Sequence, residues 1–140
     1  MEIFGQLALS FPETTEEPHF EKTSFRVKGK IFATYDTAGN QACIKLSEID
    51  QNVFSLVNRE AIYQVPNKWG KQGWTFEKLD LVDNELFADA LTTAYCLVSP
   101  KKLSDQVKKK QRYWLTIQES KSKKTVHTFQ FMAFSKRVFC

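Results

Sequence analysis

The stretch SFRVKGKIFATYD, residues 24–36, decides how the chain folds. Phe25 and Val27 alternate with Arg26 and Lys28, a period of two that belongs to a strand with one covered face. Lys28-Gly29 supplies a tight turn. Ile31, Ala33 and Tyr35 resume the alternation beyond it, so the segment is a predicted β-hairpin. Upstream, Ile3, Phe4, Leu7, Ala8 and Phe11 recur at helical spacing and Pro12 closes the run, which predicts a first helix over about residues 2–10. PETTEEP, residues 12–18, is a polar connection between helix and hairpin.

Downstream, DTAGN (36–40) is a turn, and QACIKLS (41–47) is a third strand with Ala42, Ile44 and Leu46 facing one way, Cys43 and Lys45 the other. Ser47 is placed to cap a short helix whose apolar side is Ile49, Val53, Phe54 and Val57. AIYQV (61–65) and WTFEKL (74–79) are two further strands that flank the loop PNKWGKQGW (66–74). Asp83 caps the strongest helix, with Leu86, Phe87, Ala90, Ala94, Leu97 and Val98 as its stripe, and the helix stops before Pro100. Runs of strands bounded by helices predict an α+β domain: an antiparallel sheet with helices packed on one face. PKKLSDQVKKK (100–110) can extend as a basic helix, with Leu103 and Val107 at i, i+4. RYWLTIQ (112–118) and TVHTFQFMAF (125–134) both alternate about a polar run, the pattern of a basic β-hairpin. The chain thus divides into a domain over residues 1–104 and a basic, aromatic C-terminal extension over 105–140.

With 140 residues, 42% of them hydrophobic and 26% charged, the chain has enough apolar material for one real core. No apolar run approaches the roughly 20 residues that cross a bilayer. The first residues lack the basic and long apolar segments of a signal peptide, so the cytoplasm is the expected compartment. Three widely spaced cysteines, Cys43, Cys96 and Cys140, write neither a disulfide framework nor a zinc knuckle. The net charge of +4 hides an asymmetry. Residues 1–100 hold nine Lys/Arg against fourteen Asp/Glu, a balance of −5; residues 101–140 hold eleven against two, a balance of +9. Any affinity for a polyanion must therefore be sought first near the C-terminus.

Catalysis is not expected. The two histidines, His19 and His127, have no nucleophile motif, P-loop or dinucleotide fingerprint beside them. Glu16, Glu17, His19 and Glu21 carry metal-competent donors, but four polar residues next to Pro18 are more simply a solvated strand entry. No cofactor is implied.

Three groups of residues carry the chemistry of nucleic-acid contact. Arg26, Lys28 and Lys30 cluster at the hairpin turn, where a wing can grip phosphates, and Lys45 extends the patch; lysines also flank exposed hairpins simply to deter edge pairing. In the loop, Lys68, Trp69 and Lys71 combine cations with a ring that can stack on a base. Trp74 is expected in the core, with Gly70 and Gly73 giving the loop its backbone freedom. Past Pro100, Lys101, Lys102, Lys108, Lys109, Lys110 and Arg112 lead into Tyr113 and Trp114, a composition suited to sequence-independent phosphate binding.

EEPHFEKTSFRVKGKIFATYD (16–36), IKLS (44–47), VPNKWGKQGWTF (65–76) and DALTTAYCLVSPKKL (89–103), in this order and spacing, resemble the MmcQ/YjbR family of small bacterial proteins. The resemblance covers roughly residues 1–104. It implies an α+β fold of the kind shared with secretion chaperones. It also implies a DNA-binding role through a proposed double-wing surface, and it brings no catalytic residues. The expected function is thus a non-catalytic nucleic-acid-binding module with DNA as partner; a protein-interaction module that self-associates or binds a peptide is the alternative.

Overall fold

The computed structural model describes residues 2–109. In chain order the elements are α1 (Glu2–Ser10), β1 (Thr14–His19), β2 (Lys22–Val27), β3 (Lys30–Asp36), β4 (Gln41–Lys45), α2 (Glu48–Val57), β5 (Ile62–Gln64), α3 (Lys68–Lys71), β6 (Trp74–Lys78) and α4 (Asn84–Val98). A further helix, α5, covers residues 101–109 of the described chain. The strands form a single antiparallel sheet in the order β1-β2-β3-β4-β6-β5. The fold is therefore α+β. The expected hairpin of residues 112–134, Lys110, Arg112 and His127 all lie outside the described residues.

One face of the sheet is covered. Phe25, Ala33, Tyr35, Ala42, Ile44 and Ile62 point into a core completed by Phe4, Ala8 and Phe11, by Phe54 of α2, and by Leu86, Phe87, Leu91 and Tyr95. Aromatic rings knit its layers: Phe4 sits 5.5 Å from both Phe25 and Tyr35, and Phe11 stacks on Tyr95 at 4.7 Å. The Tyr95 hydroxyl donates to the Pro12 carbonyl at 2.7 Å, which ties α4 to the segment between α1 and β1. Leu103 and Val107 of α5 join the same core, so the fold continues past residue 104 on its covered side.

Several sequence expectations shift. PETTEEP is not a connection: six consecutive residues pair from Thr14↔Val27 to His19↔Lys22 as an edge strand. An edge strand whose side chains are mostly exposed shows no hydrophobic period, so its backbone pairing has no side-chain signature. In the founding hairpin, the register shifts at Phe25/Arg26, which lets Phe32 turn inward and leaves Ile31 half-buried on the opposite face. Ser47 caps α2 as expected, its side chain accepting from the Asp50 N–H, but the buried side of that helix is Gln51 and Phe54. Ile49 and Val57 are exposed.

The largest inversion is in β6. Trp74 and Phe76 are half-buried on the uncovered face, while Thr75 and Glu77 are the fully buried pair against the helices. Two contacts fix this phase. The Leu46 N–H donates to Gly73 O at 2.9 Å. The Gln51 side-chain amide nitrogen lies 2.9 Å from Thr75 Oγ1, 3.1 Å from Gly70 O and 3.2 Å from Trp74 O. A buried glutamine that meets acceptors in the first residues of β6 and in the α3 turn before it holds the strand where its polar residues face inward.

Candidate functional site

The face of the sheet that no helix covers among the described residues, the uncovered face, is where exposed chemistry concentrates. Its central row, read across the strands, is Glu17, Ser24, Thr34, Cys43, Phe76 and Tyr63. Lys45 and Trp74 pair in the row nearest residues 65–73. Two ring faces are open enough for ammonium groups to stand over them: Lys45 Nζ is 5.5 Å from the Trp74 ring centroid and Lys78 Nζ is 5.7 Å from that of Tyr63.

Two rims rise at opposite ends of this face. The β1–β2 turn carries Phe20, and α3 carries Trp69. Together with the sheet they enclose a groove of about 880 Å³. Its floor is Ile31, Thr34, Cys43, Trp74 and Phe76; His19, Lys22 and Asn67 stand at its margins. Phe20 is 92% exposed and Trp69 50%. Phe20 also adopts φ +58°, the left-handed region, which costs a bulky residue about 1–2 kcal/mol. Its ring meets His19 edge-on at 4.8 Å. Burial pushes the Cys43 thiol up to about 11, with the Lys22 charge opposing, so Cys43 is a neutral part of the floor rather than a nucleophile.

The loop PNKWGKQGW is folded tightly at this margin. Asn67 caps α3 by accepting from the Trp69 N–H at 2.8 Å, and Lys68 Nζ sits 5.5 Å from the Trp69 ring centroid. Gly70 and Gly73 are required by close approach: a Cβ would stand 1.9 Å from Val65 O at the first and 1.9 Å from Leu46 O at the second. The loop is thus both a plug and a rim, with the glycines on the fold and Trp69 on the groove.

The residues singled out from sequence fall into separate places. Trp69 lines the groove, Lys68 stands over its ring, and Lys45 lies beside Trp74 with its ammonium donating to the Gln72 carbonyl. Arg26 is on the same face of β2, bonded to Ser24 Oγ at 3.0 Å and 3.8 Å from Glu17. Lys28, at the hairpin turn, is ion-paired with Glu13 at 2.6 Å, and Lys30 opens β3 as an exposed residue. Lys68 and Lys71 line a separate hollow with Pro66 and Asn67. Lys101 and Lys102 begin α5, Lys108 and Lys109 lie in its last described turn, and none of the four lines the groove. Glu16 and Glu17 point to opposite faces of β1, and among the described residues no group of three or more His, Cys, Asp or Glu is placed to hold a metal ion.

Phe20, Lys22, Ile31, Phe76 and Lys78 are groove or face residues that sequence reasoning passed over. Trp74, Phe76 and Lys78 do share a face in WTFEK, but alternation cannot say which face the helices cover.

The YjbR family model matches residues 9–97. Among solved structures, the chain is similar to the crystal structure of Deinococcus radiodurans protein DR2400, which carries the DUF419 domain. Identity is 21%, the TM-score is 0.59, and the match covers 69% of this chain and 76% of that one. That likeness concerns the fold. Comparison with curated proteins gives no match.

Proposed function

The chain belongs to the YjbR family, and from that premise we propose that it is a non-catalytic nucleic-acid-binding module acting through the uncovered face of its sheet. The observation that carries this reading is the set of half-buried rings there, Tyr63, Trp74 and Phe76, interleaved with Lys22, Arg26, Lys45 and Lys78. Rings offer stacking surfaces and lysines offer phosphate contacts, the pairing that nucleic-acid platforms use. The face is mixed in charge: Glu17 lies in its central row 3.8 Å from Arg26, and Glu21 lines the groove beside Lys22, whereas Asp83 and Glu85 sit at the start of α4, on the covered side.

If about four phosphates are neutralised, log affinity should fall against log salt with a slope near −3 on single strands. Changing both exposed lysines, Lys22→Gln with Lys78→Gln, is expected to lower that slope by about 1.4 without unfolding the protein. A salt titration of DNA binding by fluorescence anisotropy measures both quantities. Absence of binding at low salt, or a slope unchanged in the double variant, would count against the reading.

A separate observation favours a protein-interaction role. α2 exposes Ile49, Leu56 and Val57 along one side. Self-association through that stripe would persist at high salt and disappear in Leu56→Lys, as followed by sedimentation velocity.

A further inference from the structure

We infer that the groove between Phe20 and Trp69 seats unpaired bases, so that the ligand of this face is single-stranded nucleic acid rather than duplex. This rests on the nucleic-acid reading above and specifies its substrate class. The geometry makes the distinction. The floor rings Trp74 and Phe76 are half-buried, and the two rims stand above them at opposite ends of the sheet. In a duplex the base faces are stacked on one another and the convex surface is phosphate, so no ring of the floor can reach a base face. A single strand can turn its bases inward, onto Trp74, Phe76 and Trp69, and leave its phosphates toward Lys22 at the margin and toward Lys45 and Lys68 beside the Trp74 and Trp69 rings, with Glu21 the opposing charge in the lining. A volume of about 880 Å³ has room for more than one base.

Phe20 supplies an independent argument. A phenylalanine ring held 92% in solvent buries almost nothing, and its backbone occupies a conformation that glycine or asparagine would adopt with less strain. Among the described residues its ring contact is with His19. A residue that the fold would do better without, placed at the rim of a groove floored by aromatic rings, is a contact residue.

The test uses the full chain, an oligothymidylate and an oligouridylate of about ten nucleotides, and a duplex of matched charge, at fixed salt. Phe20→Asn and Trp69→Ala are each expected to lower single-strand affinity by about tenfold or more, with duplex affinity unchanged. Phe20→Asn should leave Tm unchanged or raise it, whereas a structural ring would lower it. The DNA and RNA arms decide which sugar is preferred, and a preference for either over duplex supports the inference. Equal binding of duplex and single strand, wild-type affinity in both variants, or a lowered Tm in Phe20→Asn overturns it while leaving salt-dependent nucleic-acid binding intact. Absence of any nucleic-acid binding at low salt overturns both readings together.

Discussion

Gly73→Ala is expected to cost on the order of 3–4 kcal/mol, from backbone strain together with a lost ladder bond. For a domain of this size that is a fall in Tm of about 12 °C or more. The backbone at Gly73 has φ +107°, well outside the left-handed well that an L-residue can visit, and a Cβ there would lie 1.9 Å from Leu46 O. Neither atom can give way, because Leu46 is held through its own N–H to Gly73 O. The other glycines provide a graded control. Gly29→Ala has a φ of +80° but open space around it, so strain alone of about 1 kcal/mol is expected. At Gly39 an added Cβ meets nothing nearer than 3.8 Å and the effect should be close to zero. Thermal melts of the three variants check the order. Equal effects at Gly73 and Gly39 would show that the β4–β6 junction is not packed as described.

The second large effect concerns Glu77. Its carboxyl is fully buried on the covered face, between Ala42 and Ile62, and neither oxygen has a hydrogen-bond partner among the described residues. Burial pushes it up to about 8 from an ordinary value of 4.5. Below pH 4.5 the group is neutral in both folded and unfolded chains and contributes nothing to pH dependence. As pH rises from 4.5 towards 8 the unfolded chain releases the proton while the folded one keeps it. Stability therefore declines over this window, at up to about 1.4 kcal/mol per pH unit, and levels off above pH 8. Asp89, also buried and pushed up to about 7, adds a decline of the same sign over a lower range. Glu77→Met removes only the first contribution. The variant should be more stable than the wild type by several kcal/mol at pH 8 and by much less at pH 5, as read from urea denaturation at both values. Parallel profiles for the two proteins would mean that the Glu77 carboxyl is solvated or paired.

How much of this was legible in the sequence depends on what kind of force places each residue. α1 and α4 announce themselves because they bury stripes at helical spacing, and Ser47 and Asp83 because a cap must offer an oxygen to a free N–H. The β2–β3 hairpin is equally plain, since both its alternation and its Lys28-Gly29 turn are local. β1 was invisible because its stabilisation is backbone pairing with β2 and its side chains remain mostly in water. Ile31 reads as one alternation with Ala33 and Tyr35 because a bulge is a property of two strands together, and one strand's alternation cannot report it.

For the candidate site the division is sharper. Trp69 is legible as a contact candidate, since a large ring between lysines and glycines either packs with its indole N–H paired or offers a contact surface. Phe20 was passed over because its left-handed backbone and its place at a groove margin are tertiary facts. The sequence by itself determined the α+β class, the helices, the central hairpin, the two-sided character of WTFEK and the basic swing of charge beyond Pro100. The tertiary structure alone decided which side of WTFEK is covered. Period two separates Trp74, Phe76 and Lys78 from Thr75 and Glu77, but both choices keep the period. The choice is made at a distance, by Gly73 against Leu46 and by the Gln51 amide among acceptors of residues 70, 74 and 75. Those contacts turn a threonine and a glutamate into the core and leave two aromatic rings facing out. This inversion makes the uncovered face of the sheet aromatic.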